Sequence, residues 1–319
     1  MGAPVVRDPA GRVVTTLRLS VTDRCDLRCS YCMPRCGVTL GRREDVLTIE
    51  EMHRAASILV ERFGLGAVRL TGGEPLVRAG LDRLVEMIAS LPIDDLALTT
   101  NGQGLGRRAA ELRARGLMRV NVSLDTLDES RYRSLTGGGD LARTVEGIEA
   151  AIAADLAPVK INMVVLRGVN DDEVVRVARF GLDRGAQVRF LELMPIGEAR
   201  QGYADLFVPS SEVLASLERE IELAPIGAEG TARLFAAGGG RIGLVSPQTE
   251  PFCGTCGRLR LTTEGRLLAC LHEETGVDLR GPLRDGDGGL VEQRIREAIA
   301  GKPATRPGSR RDPMHAVGG

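Results

Sequence analysis

Tryptophan is absent from this sequence of 319 residues, and aromatic residues make up only 3% of it. Side chains that stack on bases are therefore scarce, which argues against a binding platform for single-stranded nucleic acid. The formal net charge of -1 gives no reason to expect nucleic acid or a membrane surface as a partner. No apolar run approaches the roughly 18–20 residues of a membrane span, and the first residues lack the apolar stretch of a secretory signal. We therefore expect a cytoplasmic protein.

Cysteine is sparse but unevenly placed, because all seven cysteines fall within residues 25–36 and 253–270. A disulfide framework suits a short secreted chain, and this chain is neither short nor evidently secreted. Apolar residues at 43% and charged residues at 27% are typical of an ordinary globular protein. Two tight groups of cysteines in such a chain indicate thiolate-ligated metal sites.

Short β-rich runs alternate with longer amphipathic segments from residue 13 to about 194. We predict strands near 14–21, 67–71, 94–100, 118–124, 158–166 and 187–193, with helices over 48–63, 80–90, 104–116, 141–154 and 171–185. Thr48 and Glu51 form a capping box at the start of the first helix. Repeated β–α units imply parallel strands joined by right-handed crossovers, so the predicted fold class is α/β, an incomplete (β/α)6 TIM-type barrel.

The alternation ends after about residue 200. A helix is predicted over 211–220 and another over 290–300, with β-like runs at 232–235, 241–246, 258–263 and 266–271 between them. We therefore expect a barrel over 1–200 and a C-terminal α+β extension over 201–300 that closes it and carries the second cysteine group. Residues 301–319, rich in Gly, Pro and Arg, are predicted to form a flexible tail.

Three cations fall on polar faces of the predicted strands. Side chains alternate along a strand, so Arg18, Arg69 and Lys160 lie opposite apolar residues that suit contact with helices. The polar faces then point into the barrel, which is normally filled by Val, Ile and Leu. Buried cations are costly unless an anion meets them, so the pattern predicts an anionic ligand in the barrel. The alternative is a displaced register, with these residues solvated at strand ends.

The first cysteine group directly follows the first predicted strand, where active-site loops of barrels occur. Cys25, Cys29 and Cys32 have C-x3-C-x2-C spacing, which differs from the paired C-x2-C hooks of structural zinc sites. Three thiolates on a cubane of four irons leave one iron free to bind a small molecule. Cys36, as a fourth ligand, would occupy the iron that must stay free, so we interpret it as a cysteine that does not ligate the cluster.

A second motif, Thr71-Gly72-Gly73-Glu74-Pro75, follows the second predicted strand. Its two glycines let the backbone approach a ligand closely, and the Glu74 carboxylate can receive an ammonium group. Together with the cysteine loop, this motif resembles the radical S-adenosylmethionine (SAM) superfamily. The resemblance implies a [4Fe-4S] cluster whose free iron chelates SAM, and reductive cleavage of SAM to a 5′-deoxyadenosyl radical. It implies SAM contacts at four positions: Tyr31, Gly73, Ser123 and Met194.

The second cysteine group, Cys253, Cys256 and Cys270, is another set of three ligands. Arg258 and Arg260 lie between them on one predicted strand face. A cluster with a free iron beside two arginines can bind a substrate atom while the guanidinium groups hold phosphate oxygens. The alternative is a zinc site completed by His272.

Nearly the whole chain resembles the radical SAM enzymes that cyclise GTP in the first step of molybdenum cofactor biosynthesis. The resemblance rests on LRLSVTDRC at 17–25, YCMP at 31–34, RLTGGEPL at 69–76, LTTNG at 98–102, NVSLD at 121–125, KINMVVLRGVND at 160–171, RFLELMPIG at 189–197 and FCGTCGRLRL at 252–261. It implies GTP contacts at six positions: Arg18, Arg69, Thr100, Lys160, Arg258 and Arg260. It also implies a second [4Fe-4S] cluster on the second cysteine group, and a terminal Gly318-Gly319 that reaches the active site. Gly257, where Asn is common, and the AVGG end depart from the family pattern.

The same resemblance implies partners: a reduced flavodoxin or ferredoxin-type electron donor, cyclic pyranopterin monophosphate synthase as the next enzyme, and a second copy in a homodimer. Two other interpretations stay open at this point. One is a radical SAM enzyme that modifies a peptide, although such enzymes usually carry more cysteines after the barrel. The other is a zinc or iron–sulfur protein with a structural or electron-transfer role, which leaves residues 71–75 and the cationic barrel without a purpose.

Overall fold

A computed structural model describes residues 4–34 and 41–308 of the chain. The predictions for Cys36, Gly318 and Gly319 lie outside the described residues. Six strands form the centre of the fold, in sequence order and all parallel to their neighbours. They are β1 (Thr16–Ser20), β2 (Ala67–Thr71), β3 (Asp95–Thr100), β4 (Arg119–Ser123), β5 (Lys160–Val165) and β6 (Gln187–Glu192). The six predicted strands are confirmed.

Helices fill the connections between these strands. They are α1 (Ile49–Phe63), α2 (Leu81–Ala89), α3 (Ala109–Ala114), α4 (Glu129–Thr136), α5 (Leu141–Ala153) and α6 (Val174–Leu182). The capping box is confirmed, because Thr48 accepts from the Glu51 backbone amide and the Glu51 carboxylate accepts from the Thr48 amide at 2.7 Å. The short helix α4 was not predicted, since its ESRYRSLT sequence has few apolar residues. Asp128 caps its first turn and it buries Tyr132.

The C-terminal region extends both edges of this parallel sheet. Its elements are α7 (Tyr203–Leu206), α8 (Ser210–Glu218), β7 (Ala224–Glu229), β8 (Ala232–Ala237), β9 (Gly240–Val245), β10 (Arg258–Leu261), β11 (Arg266–Leu268), β12 (Val277–Asp278), α9 (Arg280–Arg284) and α10 (Gly288–Ala300). Strand β9 pairs parallel with β6, and β10 pairs parallel with β1. The strand order is β12-β11-β10-β1-β2-β3-β4-β5-β6-β9-β8-β7. The strands β7 and β12 and the helices α7 and α9 were not predicted.

The apolar faces of the central strands pack against the helices. Leu17, Leu70, Val122 and Ile161 are all fully buried in the main hydrophobic core. The polar faces therefore point to the other side of the sheet, as the alternation predicts. Within residues 4–34 and 41–308, none of the helices has the length and apolar character of a membrane span.

Candidate active site

One cavity of about 420 Å³ opens at the carboxyl ends of the central strands. Its wall includes residues that follow four strands directly: Cys25 after β1, 72–74 after β2, Asn101 after β3 and Asp125 after β4. Ligand sites of α/β barrels lie at this end of the strands, and this volume is typical of a small-molecule site. The cavity is therefore the candidate active site.

The residues predicted from the sequence meet in this cavity. Its wall contains the two cysteine groups, Cys25, Cys29, Cys32, Cys253, Cys256 and Cys270. It also contains most of the predicted SAM and GTP contacts, namely Tyr31, Gly73, Glu74, Ser123, Met194, Arg18, Arg69, Thr100, Arg258 and Arg260. Lys160 is not among the lining residues, and its surroundings are described below.

The loop that carries the first cysteine group is held against the loop after β2. The Gly73 amide donates to the Thr22 carbonyl at 2.7 Å, and the Glu74 amide donates to the Arg24 carbonyl at 2.7 Å. A Cβ atom added to Gly73 would lie 2.3 Å from the Arg24 carbonyl oxygen, so only glycine fits between these two backbones. The glycines of the motif therefore fix the position of Cys25, next to Arg24.

Cys25 and Cys29 of the first cysteine group are partly buried in surroundings that disfavour thiolates. Burial, with Glu74 and Asp26 nearby, raises the pKa of Cys25 to about 12. Burial, with Asp125 nearby, raises the pKa of Cys29 well above its ordinary value. The cysteines of both groups are free of disulfides. Iron binds thiolates and would reverse this preference. The three partly buried thiols on one cavity wall therefore fit an iron–sulfur cluster, whose assembly would release protons.

Glu74 is fully buried and connects three segments of the cavity wall. Its carboxylate accepts from the Leu76 amide at 2.9 Å, the Thr100 hydroxyl at 2.7 Å and the Asn101 amide at 2.7 Å. Burial raises the pKa of Glu74 to about 7, and these hydrogen bonds oppose the shift. The Thr100 hydroxyl donates to Glu74, so the structure places this predicted GTP contact beside the predicted SAM contact.

The partly buried Tyr31 and the buried Asp125 form a hydrogen-bonded pair on the wall. The Tyr31 hydroxyl donates to the Asp125 carboxylate at 2.6 Å, and the Val164 amide donates to the same carboxylate at 2.8 Å. Burial raises the pKa of Asp125 to about 6, while these bonds lower it. Asp125 was not predicted as a site residue. The signal was present, because it has the same strand parity as Ser123 and ends the NVSLD motif.

The second cysteine group has cationic surroundings. Burial alone would raise the pKa of Cys256, but Arg258 and Lys302 lower it to about 7. The Arg258 guanidinium donates to the Cys256 sulfur at 3.4 Å. The Lys302 ammonium donates to the Arg258 carbonyl at 2.8 Å and the Ala269 carbonyl at 2.5 Å. Lys302 thus joins the strand of Arg258 to the residue before Cys270. The Cys256 thiolate is favoured here, whereas those of Cys25 and Cys29 are disfavoured.

Arg12 is a further buried cation beside the second cysteine group. It pairs with Asp8 at 2.5 Å, and its guanidinium also donates to the Cys253 carbonyl at 2.7 Å. The same side chain donates to the Pro303 and Ala304 carbonyls at 2.8 and 3.1 Å. Arg12 therefore ties the first segment of the chain to both the cysteine loop and residues 303–304, a role that the sequence did not indicate.

Arginines from three neighbouring strands lie in register across the cavity floor. Arg18 of β1 is aligned with Arg69 of β2 on one side and Arg260 of β10 on the other. Burial, together with Arg260 and Arg258, lowers the pKa of Arg18 well below its ordinary value. Gathering buried like charges is unfavourable unless an anion joins them. Arg18 and Arg69 thus face the cavity, as strand parity predicts, and the C-terminal strand adds Arg260 to them.

The other cations of the barrel pair with two carboxylates. Arg119 donates to both oxygens of Asp95, at 2.7 and 2.6 Å, and Arg69 lies 3.4 Å from Asp95. The Lys160 ammonium is paired with Glu229, and Arg189 lies 3.3 Å from the same carboxylate.

Arg189 lines the cavity with its side chain 12% exposed. Arg189 was not predicted as a site residue, although it alternates with the buried Val188 and Phe190 in a predicted strand.

The parallel strands, the three-cysteine loop after β1 and the glycines after β2 define a radical SAM enzyme. Residues 19–181 match the model of the Radical SAM superfamily, and residues 186–307 match that of Molybdenum Cofactor Synthesis C. The GTP 3′,8-cyclase of Pelotomaculum thermopropionicum is 45% identical over 314 residues, 93% of this chain and 94% of that one. That of Heliobacterium modesticaldum is 46% identical over 304 residues, 93% of each chain. The chain therefore belongs to the GTP 3′,8-cyclase family of radical SAM enzymes.

A solved structure supports the fold. The crystal structure of Streptococcus suis SuiB bound to S-adenosylmethionine superposes with a TM-score of 0.60 at 16% sequence identity. The match covers 89% of this chain and 68% of SuiB. At this identity the likeness concerns the fold alone.

Proposed function

We propose that this chain is a GTP 3′,8-cyclase that catalyses the first step of molybdenum cofactor biosynthesis. The reaction joins C3′ of the GTP ribose to C8 of guanine and gives (8S)-3′,8-cyclo-7,8-dihydroguanosine 5′-triphosphate. When bound, SAM and its cluster supply a 5′-deoxyadenosyl radical that removes the C3′ hydrogen. One electron is consumed in cleaving SAM, and a second electron and a proton complete the product. The observation that carries the proposal is one cavity lined by both cysteine groups and by arginines aligned on three strands.

The SAM side of the cavity is assigned to the loops after β1 and β2. Cys25, Cys29 and Cys32 would hold the cluster that SAM binds. Residues 4–34 and 41–308 supply donors to three of the four acceptor positions of the Glu74 carboxylate, and the fourth is assigned to the SAM ammonium. The other assigned SAM contacts lie in the same wall: Tyr31, Gly73, Ser123 and Met194. Asp125 fixes the Tyr31 hydroxyl and so orients its ring.

The nucleotide is assigned to the cationic part of the cavity. Arg18, Arg69, Arg258 and Arg260 present guanidinium groups that suit phosphate oxygens, and a triphosphate offsets their mutual repulsion. Lys160 is assigned to the same triphosphate. Thr100, whose hydroxyl donates to Glu74, is assigned to the nucleotide as a direct contact.

The C-terminal region is assigned a second [4Fe-4S] cluster on Cys253, Cys256 and Cys270. The supporting observation is the cationic environment that favours the Cys256 thiolate. We also assign residues 1–200 to the barrel, 201–300 to the cluster-bearing extension and 301–319 to a tail whose Gly318 and Gly319 reach the active site. The proposed partners are a reduced flavodoxin or ferredoxin-type donor, cyclic pyranopterin monophosphate synthase and a second copy of the chain.

Anaerobic turnover with dithionite and SAM, with and without GTP, tests the proposal. We expect 5′-deoxyadenosine to form in a GTP-dependent manner, in amounts that match the loss of GTP. Formation of 5′-deoxyadenosine that is indifferent to GTP would exclude the cyclase and point to a peptide substrate. For the second cluster, Cys270→Ser should lower the iron content from about eight atoms per chain to about four, and Cys25→Ser should do the same while also abolishing SAM cleavage.

A further inference from the structure

Lys160 begins strand β5 and is almost completely buried, with 1% of its surface exposed. Its ammonium is paired with the carboxylate of Glu229, which also lies 3.3 Å from the Arg189 guanidinium. Burial, with Arg189 nearby, lowers the pKa of Lys160 to about 8, and Glu229 opposes the shift. A buried ammonium depends on such a partner, because an unpaired buried charge is strongly unfavourable.

Glu229 differs from Lys160 in its surroundings. It is the last residue of β7, the outermost strand of the sheet, and its side chain is 43% exposed. The turn that follows contains Gly230, with φ of +62°, and Thr231, which lines the cavity. The carboxylate therefore comes from an edge hairpin whose turn forms part of the cavity wall. Withdrawing it would not disturb the parallel strands that hold Lys160 and Arg189.

The charges around this pair are unbalanced. Arg69 and Arg119 share Asp95, while Lys160 and Arg189 share Glu229. Four cations, one each on β2, β4, β5 and β6, thus share these two carboxylates. A carboxylate, like a phosphate group, carries negative charge and acceptor oxygens. Glu229 can therefore neutralise and accept hydrogen bonds from Lys160 and Arg189 as a nucleotide phosphate would.

Resting on the proposed function, we propose that Glu229 is an internal stand-in for a substrate phosphate: its carboxylate occupies Lys160 and Arg189 until the triphosphate displaces it. Glu229 then sets the affinity for the nucleotide. A ligand that must displace an internal competitor binds with an apparent affinity reduced by the fraction of protein in the competent state. The alternative is a fixed structural ion pair, in which Glu229 stabilises Lys160 and never exchanges with substrate.

Calorimetric titration of the reconstituted holoenzyme with SAM distinguishes these roles. The probes are tripolyphosphate, GTP and guanosine, and the variants are Glu229→Gln and Glu229→Asp. The matched control is Glu220→Gln, which removes an equal charge from a surface pair with Arg179. We expect Glu229→Gln to bind tripolyphosphate and GTP about tenfold more tightly than the wild type, Glu229→Asp to fall between them, and guanosine binding to stay unchanged.

Unchanged or weaker tripolyphosphate binding by Glu229→Gln, in a protein with native circular dichroism, would overturn the displacement role. A gain equal for guanosine and GTP would also overturn it, because the effect would not involve phosphate. The proposed function fails separately, if the wild type does not consume GTP. In that case tighter tripolyphosphate binding by Glu229→Gln would still support the role of Glu229 as an internal anion.

Discussion

Replacing Gly73 with alanine should displace the first cysteine loop. The added Cβ would lie 2.3 Å from the Arg24 carbonyl oxygen and 2.6 Å from its carbon. Non-bonded carbon and oxygen atoms need roughly 3.0–3.4 Å, so the two backbones must separate by about 0.7–1.1 Å. Neither contact atom belongs to a flexible side chain that could turn away. The expected loss of stability is about 1–3 kcal/mol, as for other overpacked sites.

The separation matters more for the metal site than for stability. Cys25 adjoins Arg24, and metal–ligand distances tolerate deviations of only about 0.2 Å. We therefore expect Gly73→Ala to fold but to lose the first cluster, so that iron falls from about eight atoms per chain to about four and SAM cleavage is abolished. Gly104→Ala is the matched control, since its Cβ would meet Leu76 at an ordinary 3.6 Å. Full iron content and wild-type SAM cleavage in Gly73→Ala would refute the reasoning.

Three further outcomes follow from contacts of the cavity wall. Arg189→Ala should raise the KM for GTP at least tenfold while leaving GTP-independent SAM cleavage unchanged, and Arg189→Lys should recover part of the lost affinity. A KM for Arg189→Ala equal to that of the wild type would show that Arg189 does not bind the nucleotide. Glu192→Gln should destabilise the protein by about 2 kcal/mol, because its buried carboxylate accepts from the Ser210, Gln248 and Thr249 amides. Burial alone would raise the pKa of Glu192, but a hydrogen bond from the Thr249 hydroxyl and those from the three amides lower it below the ordinary glutamate value. The difference in unfolding free energy should therefore be fully present above pH about 4.5 and disappear as the pH falls through the lower pKa of the folded protein. If the difference in unfolding free energy between the wild type and Glu192→Gln instead grew as the pH fell, the expected pH dependence would be contradicted. Arg12→Ala should prevent assembly of the second cluster but not of the first. Iron analysis should then show about half of the wild-type iron, and SAM cleavage should be retained. Equal loss of the two clusters would instead indicate global unfolding.

The sequence predicted the parallel strands well because hydrophobic alternation and helix caps are local signals. Thr48 and Glu51 illustrate this, since a capping box is visible in four consecutive residues. Helix α4 and strand β7 were missed for the opposite reason. Helix α4 has few apolar residues, and β7 is almost entirely exposed, so tertiary pairing rather than its own pattern makes it a strand.

The residues of the candidate site likewise fall into those that local sequence signals identify and those that only tertiary contacts bring together. Motifs with fixed spacing identified the cysteines and the glycines, and strand parity placed Arg18 and Arg69 inside the barrel. Contacts between distant segments were not predictable: Glu229 on Lys160, and Arg12 on the Cys253 carbonyl, join residues 69 and 241 positions apart. Neither Glu229 nor Arg12 belongs to a motif, so only the folded geometry brings each of them to its partner.

The order of the strands has a consequence for how the chain is made. The parallel sheet of β1–β6 is encoded by residue 192, yet its two edges are covered by β9 and by β10, which ends at Leu261. During synthesis the β6 edge therefore stays open until β9 ends at Val245, about fifty residues later, and the β1 edge stays open until about seventy further residues have emerged. Unpaired strand edges are templates for association with other chains. A nascent or truncated chain that stops near residue 200 is therefore the form most prone to aggregate, and the cysteine-bearing C-terminal region protects the barrel as well as completing its active site.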